Sequence, residues 1–165
     1  MGHPMIGSDV HPERVEGAKR NVAWAQSELG ADPKAEVFVH DATQPFSHPF
    51  DAIATETDLG MPHSQHIHAD QLDQIMRDLD RLYVRFFQNL KNMGFEGPVV
   101  IAFPFFRDPR GRDTGMDRTV ETIESLGFVR EALLPEAIHA KDRFCLKYSR
   151  PDQAVGRAIY RFRLS

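Results

Sequence analysis

Apolar residues recur along the chain in two alternating rhythms. Met5-Ile6-Gly7-Ser8-Asp9-Val10 reads as a short buried strand. Val15, Ala18, Val22, Ala25 and Leu29 then return at helical spacing behind Pro12, which suits a first helical turn, until Gly30 stops the helix. Short apolar runs follow at Ala35 to Val39, Phe50 to Thr55 and Pro98 to Phe103, each of a length that suits a parallel strand covered on both faces. Between the last two, Leu72, Ile75, Met76, Leu79, Leu82, Tyr83, Phe86, Phe87, Leu90 and Met93 make one stripe of an amphipathic helix ended by Gly94. A third helix is predicted from Thr114, its cap, through Val120, Ile123 and Leu126 to Gly127. Phe128 to Leu134, Phe144 to Tyr148 and Ala158 to Leu164 are rich in strand formers, with Arg150-Pro151-Asp152-Gln153 as the turn before the last.

Strands alternating with helices, then a run of strands, predict an α/β fold: a mainly parallel sheet with an antiparallel C-terminal hairpin. At 165 residues, without repeat or linker, the chain suits one domain, 1–165. Charged residues make up 27% and apolar types 41%, which excludes a disordered tail. No apolar run approaches the roughly 18 residues of a membrane span, and the N-terminus lacks the plan of a signal peptide. The expectation is a cytoplasmic chain with no membrane partner. Twenty Lys and Arg against twenty-four Asp and Glu leave a net charge of −4, so any nucleic acid must meet a local basic patch or a separate domain. The single cysteine, Cys145, excludes an intrachain disulfide or a multi-cysteine zinc site and reads as an inert buried thiol.

Three acidic residues, Asp9, Asp41 and Glu56, fall at or just beyond the carboxyl ends of successive predicted strands, where open α/β sheets hold ligands. A carboxylate there can accept both ribose hydroxyl protons or bond an adenine amino group, although acidic residues also cap strands and helices. The polar stretch from Phe105 to Gly115 follows another strand end, and Arg107, Arg110 and Arg112 in it are candidate substrate contacts. Phe103, Phe105 and Phe106 beside them can stack bases or simply fill the core. His63, His66, His68 and Asp70 have spacing that can share an ion, but the helix-entry reading is preferred and no metal is expected. Trp24 and the aromatic residues of the long helix are expected to pack.

Ile6-Gly7-Ser8-Asp9, Glu16-Gly17-Ala18-Lys19-Arg20-Asn21, His40-Asp41-Ala42 and Phe50-Asp51-Ala52-Ile53-Ala54-Thr55-Glu56, taken in order, resemble the class I S-adenosylmethionine-dependent methyltransferases. More closely, the chain is similar to the branch that methylates guanosine N2 in tRNA, whose members often carry an upstream THUMP RNA-binding domain. The stretch from Tyr148 to Arg157 resembles that branch's closing hairpin. The resemblance implies a Rossmann-like three-layer fold, with Asp9 on the cofactor's ribose and Asp41 and Ala42 at its adenine. It implies Glu56 and the Thr57 carbonyl as acceptors for the hydrogens of the base amine, in place of the family's usual Asp or Asn, Pro, Pro, aromatic motif. Here Asp58 stands where an aromatic residue would stack. The family's Gly-rich first strand, turn and helix would precede the Asp9 strand, so the chain is expected to be truncated at that side. Weak or no S-adenosylmethionine binding is expected, together with homodimerisation or complementation by an N-terminal segment and contact with tRNA through a separate domain. An inactive remnant serving as an interaction or structural domain is the alternative. A nicotinamide oxidoreductase is disfavoured because the chain lacks the Gly-rich phosphate fingerprint.

Overall fold

The computed structural model describes residues 3–30, 34–59, 69–136, 142–150 and 153–165. The chain divides into two compact units, Met1–Phe50 and Asp51–Ser165.

The first unit holds β1 (Met5–Asp9), α1 (Pro12–Leu29) and β2 (Ala35–Val39). Its strands pair in parallel, from Met5 opposite Ala35 to Asp9 opposite Val39. Pro12 opens α1, and Gly30 closes it in the left-handed region at φ 57°, where the missing Cβ removes the steric penalty. Val15 turns inward and is 1% exposed. Two sequence expectations fail here. β1 is not a buried strand, since Met5 is 64% exposed, and Trp24 does not pack but stands 59% exposed. Two strands and one helix offer too little surface to cover both faces of β1 and the flank of α1.

The second unit contains β3 (Ile53–Glu56), α2 (Ala69–Asn92), β4 (Val99–Arg107), β5 (Asp113–Thr114), α3 (Asp117–Ser125), β6 (Phe128–Glu131), β7 (Leu146–Tyr148) and β8 (Val155–Leu164). The sheet runs in the order β3-β4-β8-β6, with β5 added to β4 and β7 to β8. β3 and β4 are parallel, while every pairing made by β5, β6, β7 and β8 is antiparallel. The fold is therefore α/β, with parallel pairs in the part that alternates strand and helix and an antiparallel C-terminal part, as the periodicities predict.

Alternation along β8 explains the core. Gly156, Ala158, Tyr160 and Phe162 are buried on the helix side, and Arg157, Ile159, Arg161 and Arg163 occupy the other face. From α2, the Tyr83 ring meets Phe103 at 4.6 Å between centroids, and the Phe87 ring stands edge-on to Phe128 at 4.9 Å and Phe162 at 5.2 Å. The Thr119 hydroxyl donates to Asp80 at 2.7 Å and ties α3 to α2. Gly94, at φ 65°, ends the α2 segment as expected.

Several boundaries move. β3 begins at Ile53 rather than Phe50, and β4 runs on past Phe103 to Arg107. The stretch expected as a long polar loop is thus the end of β4, a tight turn and β5. Thr114 is a β5 residue and not the cap of α3, which starts at Asp117 behind Met116. β6 ends at Glu131, β7 begins at Leu146, and β8 begins at Val155. Among the described residues no helix is long and apolar enough to cross a membrane.

Candidate functional site

In the first unit, parallel register brings Asp9 and the residues just after β2 to one end of the β1–β2 ladder. The Asp9 carboxylate accepts the backbone N–H of His11 at 2.8 Å and lies 3.6 Å from the Arg14 guanidinium. Asp9 therefore fixes the turn into α1 through the N–H of His11, the residue at the helix N-cap, and not through an N–H of the helix itself. A carboxylate offers about four acceptor directions. One His11 bond and one distant arginine leave capacity for a diol. Asp41 Oδ1 accepts from both the Thr43 N–H, at 2.9 Å, and the Thr43 hydroxyl, at 2.8 Å, and Gln44 N–H donates to the Asp41 carbonyl at 2.9 Å. This turn carries Ala42 and is braced by the His40 ring, 4.5 Å from the Phe46 ring. Both carboxylates are acceptor-only groups, of the kind that bond a ribose diol or an amino group.

In the second unit, Glu56 is the last residue of β3 and projects from the face opposite α2. Its carboxylate takes both forks of Arg157, from Nε at 2.5 Å and Nη2 at 3.0 Å. That hydrogen bond outweighs the cost of partial burial and holds the Glu56 carboxyl below the usual glutamate range. Arg157 reaches from β8 across β4, where Ala102 opposes Glu56 and Pro104 opposes Arg157. These two small β4 side chains let the pair meet over the intervening strand.

Thr57 follows immediately. Among the described residues its carbonyl oxygen receives no backbone hydrogen bond, and its hydroxyl is buried beside the Tyr83 phenol. The neighbouring Asp58 carbonyl accepts the Tyr83 hydroxyl, so α2 pins the chain just past the strand end. Burial, above all, raises the Tyr83 phenol, which stays protonated and donating at neutral pH.

Of the three candidate arginines, two are committed. Arg107 pairs with Asp113 through Nε at 2.9 Å and Nη2 at 3.3 Å, and lies over the Phe105 ring at 5.6 Å. Arg112 Nε donates to Asp108 at 2.7 Å. Asp108 also accepts the backbone N–H groups of Arg110 and Arg112, and these bonds, the Arg112 backbone first, hold its carboxyl low. Arg110 stands at the hairpin tip between them with no ion-pair partner among the described residues. Phe103, Phe105 and Phe106 are 0%, 1% and 4% exposed, so they are core rings and not a stacking platform. Sequence reasoning missed Arg157, because the residue lies 101 positions from Glu56 and only strand pairing brings the two together.

His63, His66 and His68 lie outside the described residues, and Asp70 is in the first turn of α2. Among the described residues no group of three potential ligands can hold a metal. Cys145 is half-buried, and burial chiefly pushes its thiol up, away from nucleophilic character.

No protein-family model matches the chain, and no curated protein sequence matches it. Among solved structures, the chain is similar to the methyltransferase domain of a bacterial CtHen1-C, at 13% identity and TM-score 0.49 over 97% of this chain and 76% of that one. It is also similar to N,N-8-amino-8-demethyl-D-riboflavin dimethyltransferase from Streptomyces davawensis, at 13% identity and TM-score 0.47 over 97% and 42%. A SAM-dependent methyltransferase from Methanosarcina mazei matches at 13% identity and TM-score 0.47 over 96% and 81%. At such identities and scores the likeness by itself assigns the chain neither an activity nor a substrate.

Proposed function

We propose that the chain is a methyltransferase-like domain that uses S-adenosylmethionine and acts on an exocyclic base amine of RNA, guanosine N2 in tRNA. One observation carries this reading: at the carboxyl end of β3, an ionised carboxylate, Glu56, stands next in sequence to a carbonyl oxygen, Thr57, that no described backbone N–H occupies. An exocyclic amine is a weak nucleophile because its lone pair is delocalised into the ring. Two acceptors on its two hydrogens turn the lone pair toward the incoming methyl group. S-adenosylmethionine, if held by Asp9 and Asp41, would supply an electrophilic methyl carbon. A carboxylate kept ionised by Arg157 would be the acceptor for the proton that the amine loses on methylation. In this reading Asp9 accepts from the ribose, and Asp41 and Ala42 bound the adenine, while Arg110 offers a guanidinium to phosphate.

The alternative, a non-catalytic domain, is supported by the closeness of the Arg157 fork to both Glu56 oxygens. Transfer of a labelled methyl group from S-adenosylmethionine to a tRNA transcript, with nucleoside analysis of the product, separates the two. The first reading expects N2-methylguanosine from the chain and none from Glu56→Gln. Absence of label in the unaltered chain favours the second.

A further inference from the structure

The edge of β4 that faces β3 carries a gap at Pro104. Arg107 N–H donates to the Ala154 carbonyl at 2.7 Å, so the odd residues of β4 make their hydrogen bonds toward β8 and the even residues turn their N–H groups to the other edge. On that other edge Ile53 N–H donates to the Pro98 carbonyl at 2.9 Å. Parallel alternation then gives the N–H of residue 100 to the Ile53 carbonyl and that of residue 102 to the Thr55 carbonyl. The next donor in the series would be residue 104 and its acceptor the Thr57 carbonyl. Residue 104 is a proline and has no N–H. Beyond it the same edge is taken up by β5, with Phe106 opposite Thr114 and Asp108 N–H donating to the Arg112 carbonyl at 3.0 Å. Pro104 thus stands between the end of one neighbouring strand and the start of another, and its missing donor falls at Thr57.

We propose that Pro104 is a positioning residue: it ends the β3–β4 ladder and leaves the Thr57 carbonyl open, so that Thr57 and the Glu56 carboxylate can take the two N–H donors of an amine ligand. The inference rests on the amine reading above for its ligand class, and on strand register alone for its geometry. A proline inside a nine-residue strand costs a ladder hydrogen bond, and here that lost bond leaves an acceptor beside Glu56.

The test uses the whole chain labelled with carbon-13 and nitrogen-15. In Pro104→Ala, and in Pro104→Val as a variant better suited to a strand, the introduced amide should exchange at least about tenfold more slowly than an unprotected amide. It should also show a through-bond coupling to the Thr57 carbonyl. Guanosine monophosphate at millimolar concentration should move the Thr57 carbonyl signal of the unaltered chain. Inosine monophosphate, which lacks the exocyclic amine, should leave it in place, and neither variant should respond. An unprotected amide at position 104 in both variants overturns the proposal. So does a Thr57 signal that ignores guanosine monophosphate, follows inosine monophosphate equally, or moves equally in the variants. Methyl transfer is assayed separately. If the Thr57 signals behave as expected and no methyl group is transferred, the acceptor pair stands and the methyltransferase reading falls.

Discussion

The two units handle apolar surface in opposite ways. Asp51–Ser165 buries a connected set of rings, Tyr83, Phe87, Phe103, Phe128 and Phe162, beneath two helices, each ring at most 1% exposed. Among the described residues, Met1–Phe50 has one deeply buried hydrophobic side chain, Val15, and presents Met5, Ile6, Val10, Trp24 and Val39 at 38% exposure or more. Both are strands with helices, so secondary structure does not make the difference. Size and layering do. A six-stranded sheet has alternate side chains enough to build a covered face, whereas a two-stranded parallel ladder with one helix does not.

The largest test of that contrast sets Phe87→Ala against Trp24→Ala. Phe87 is 0% exposed and touches three other rings, so its truncation should cost about 3 to 5 kcal/mol in urea unfolding. Trp24→Ala should stay within about 0.5 kcal/mol, as a surface change does. Equal losses would mean that the first unit has a core of its own.

Next in size is Gly156→Ala. A Cβ there would lie 2.1 Å from the Phe105 ring, which is itself 1% exposed and cannot retreat. The expected cost is about 1 to 3 kcal/mol. Its counterpart Gly30→Ala meets nothing within 4 Å and pays only for φ 57°, about 1 kcal/mol. A reversed order in the unfolding midpoints would remove the packing argument.

Much of the fold was legible. The α2 stripe and the glycines at positions 30 and 94 follow from helical period and from the left-handed backbone that glycine tolerates. The part that was not legible depends on neighbours remote in sequence. Pro104 reads as the end of a strand, yet β4 continues because the missing N–H faces a gap in the edge. Gly156 precedes the Ala158 to Leu164 run read as a strand, yet it is the floor on which Phe105 lies, so β8 starts early. Asp113 and Thr114 are too polar and too few to signal a strand. At the candidate sites, Asp9, Asp41 and Glu56 were visible as strand-end acids, but their partners differ in kind. Asp9 and Asp41 each accept the N–H two residues on, a local bond that was foreseeable at a strand end. Arg157 comes through the sheet and was not.

The smallest stability effect concerns that pair. The Glu56 carboxyl is lowered in the folded chain, first by its hydrogen bond to Arg157, so its contribution is present above the ordinary glutamate pKa. It is lost as pH falls through the folded value. Because the pair is partly exposed, Glu56→Gln should cost no more than about 1 kcal/mol at pH 7, and the difference from the unaltered chain should shrink toward zero once the pH lies below the folded value. A difference that persists at low pH would mean that shape, not charge, holds this contact.

Calorimetric titration with S-adenosylmethionine tests the functional account most directly. The account predicts a Kd between about 1 μM and 1 mM, roughly −8 to −4 kcal/mol. It also predicts that Asp9→Ala weakens binding by about 1 to 3 kcal/mol through the lost ribose hydrogen bonds. No heat at millimolar cofactor, or an affinity unchanged by Asp9→Ala, would contradict it.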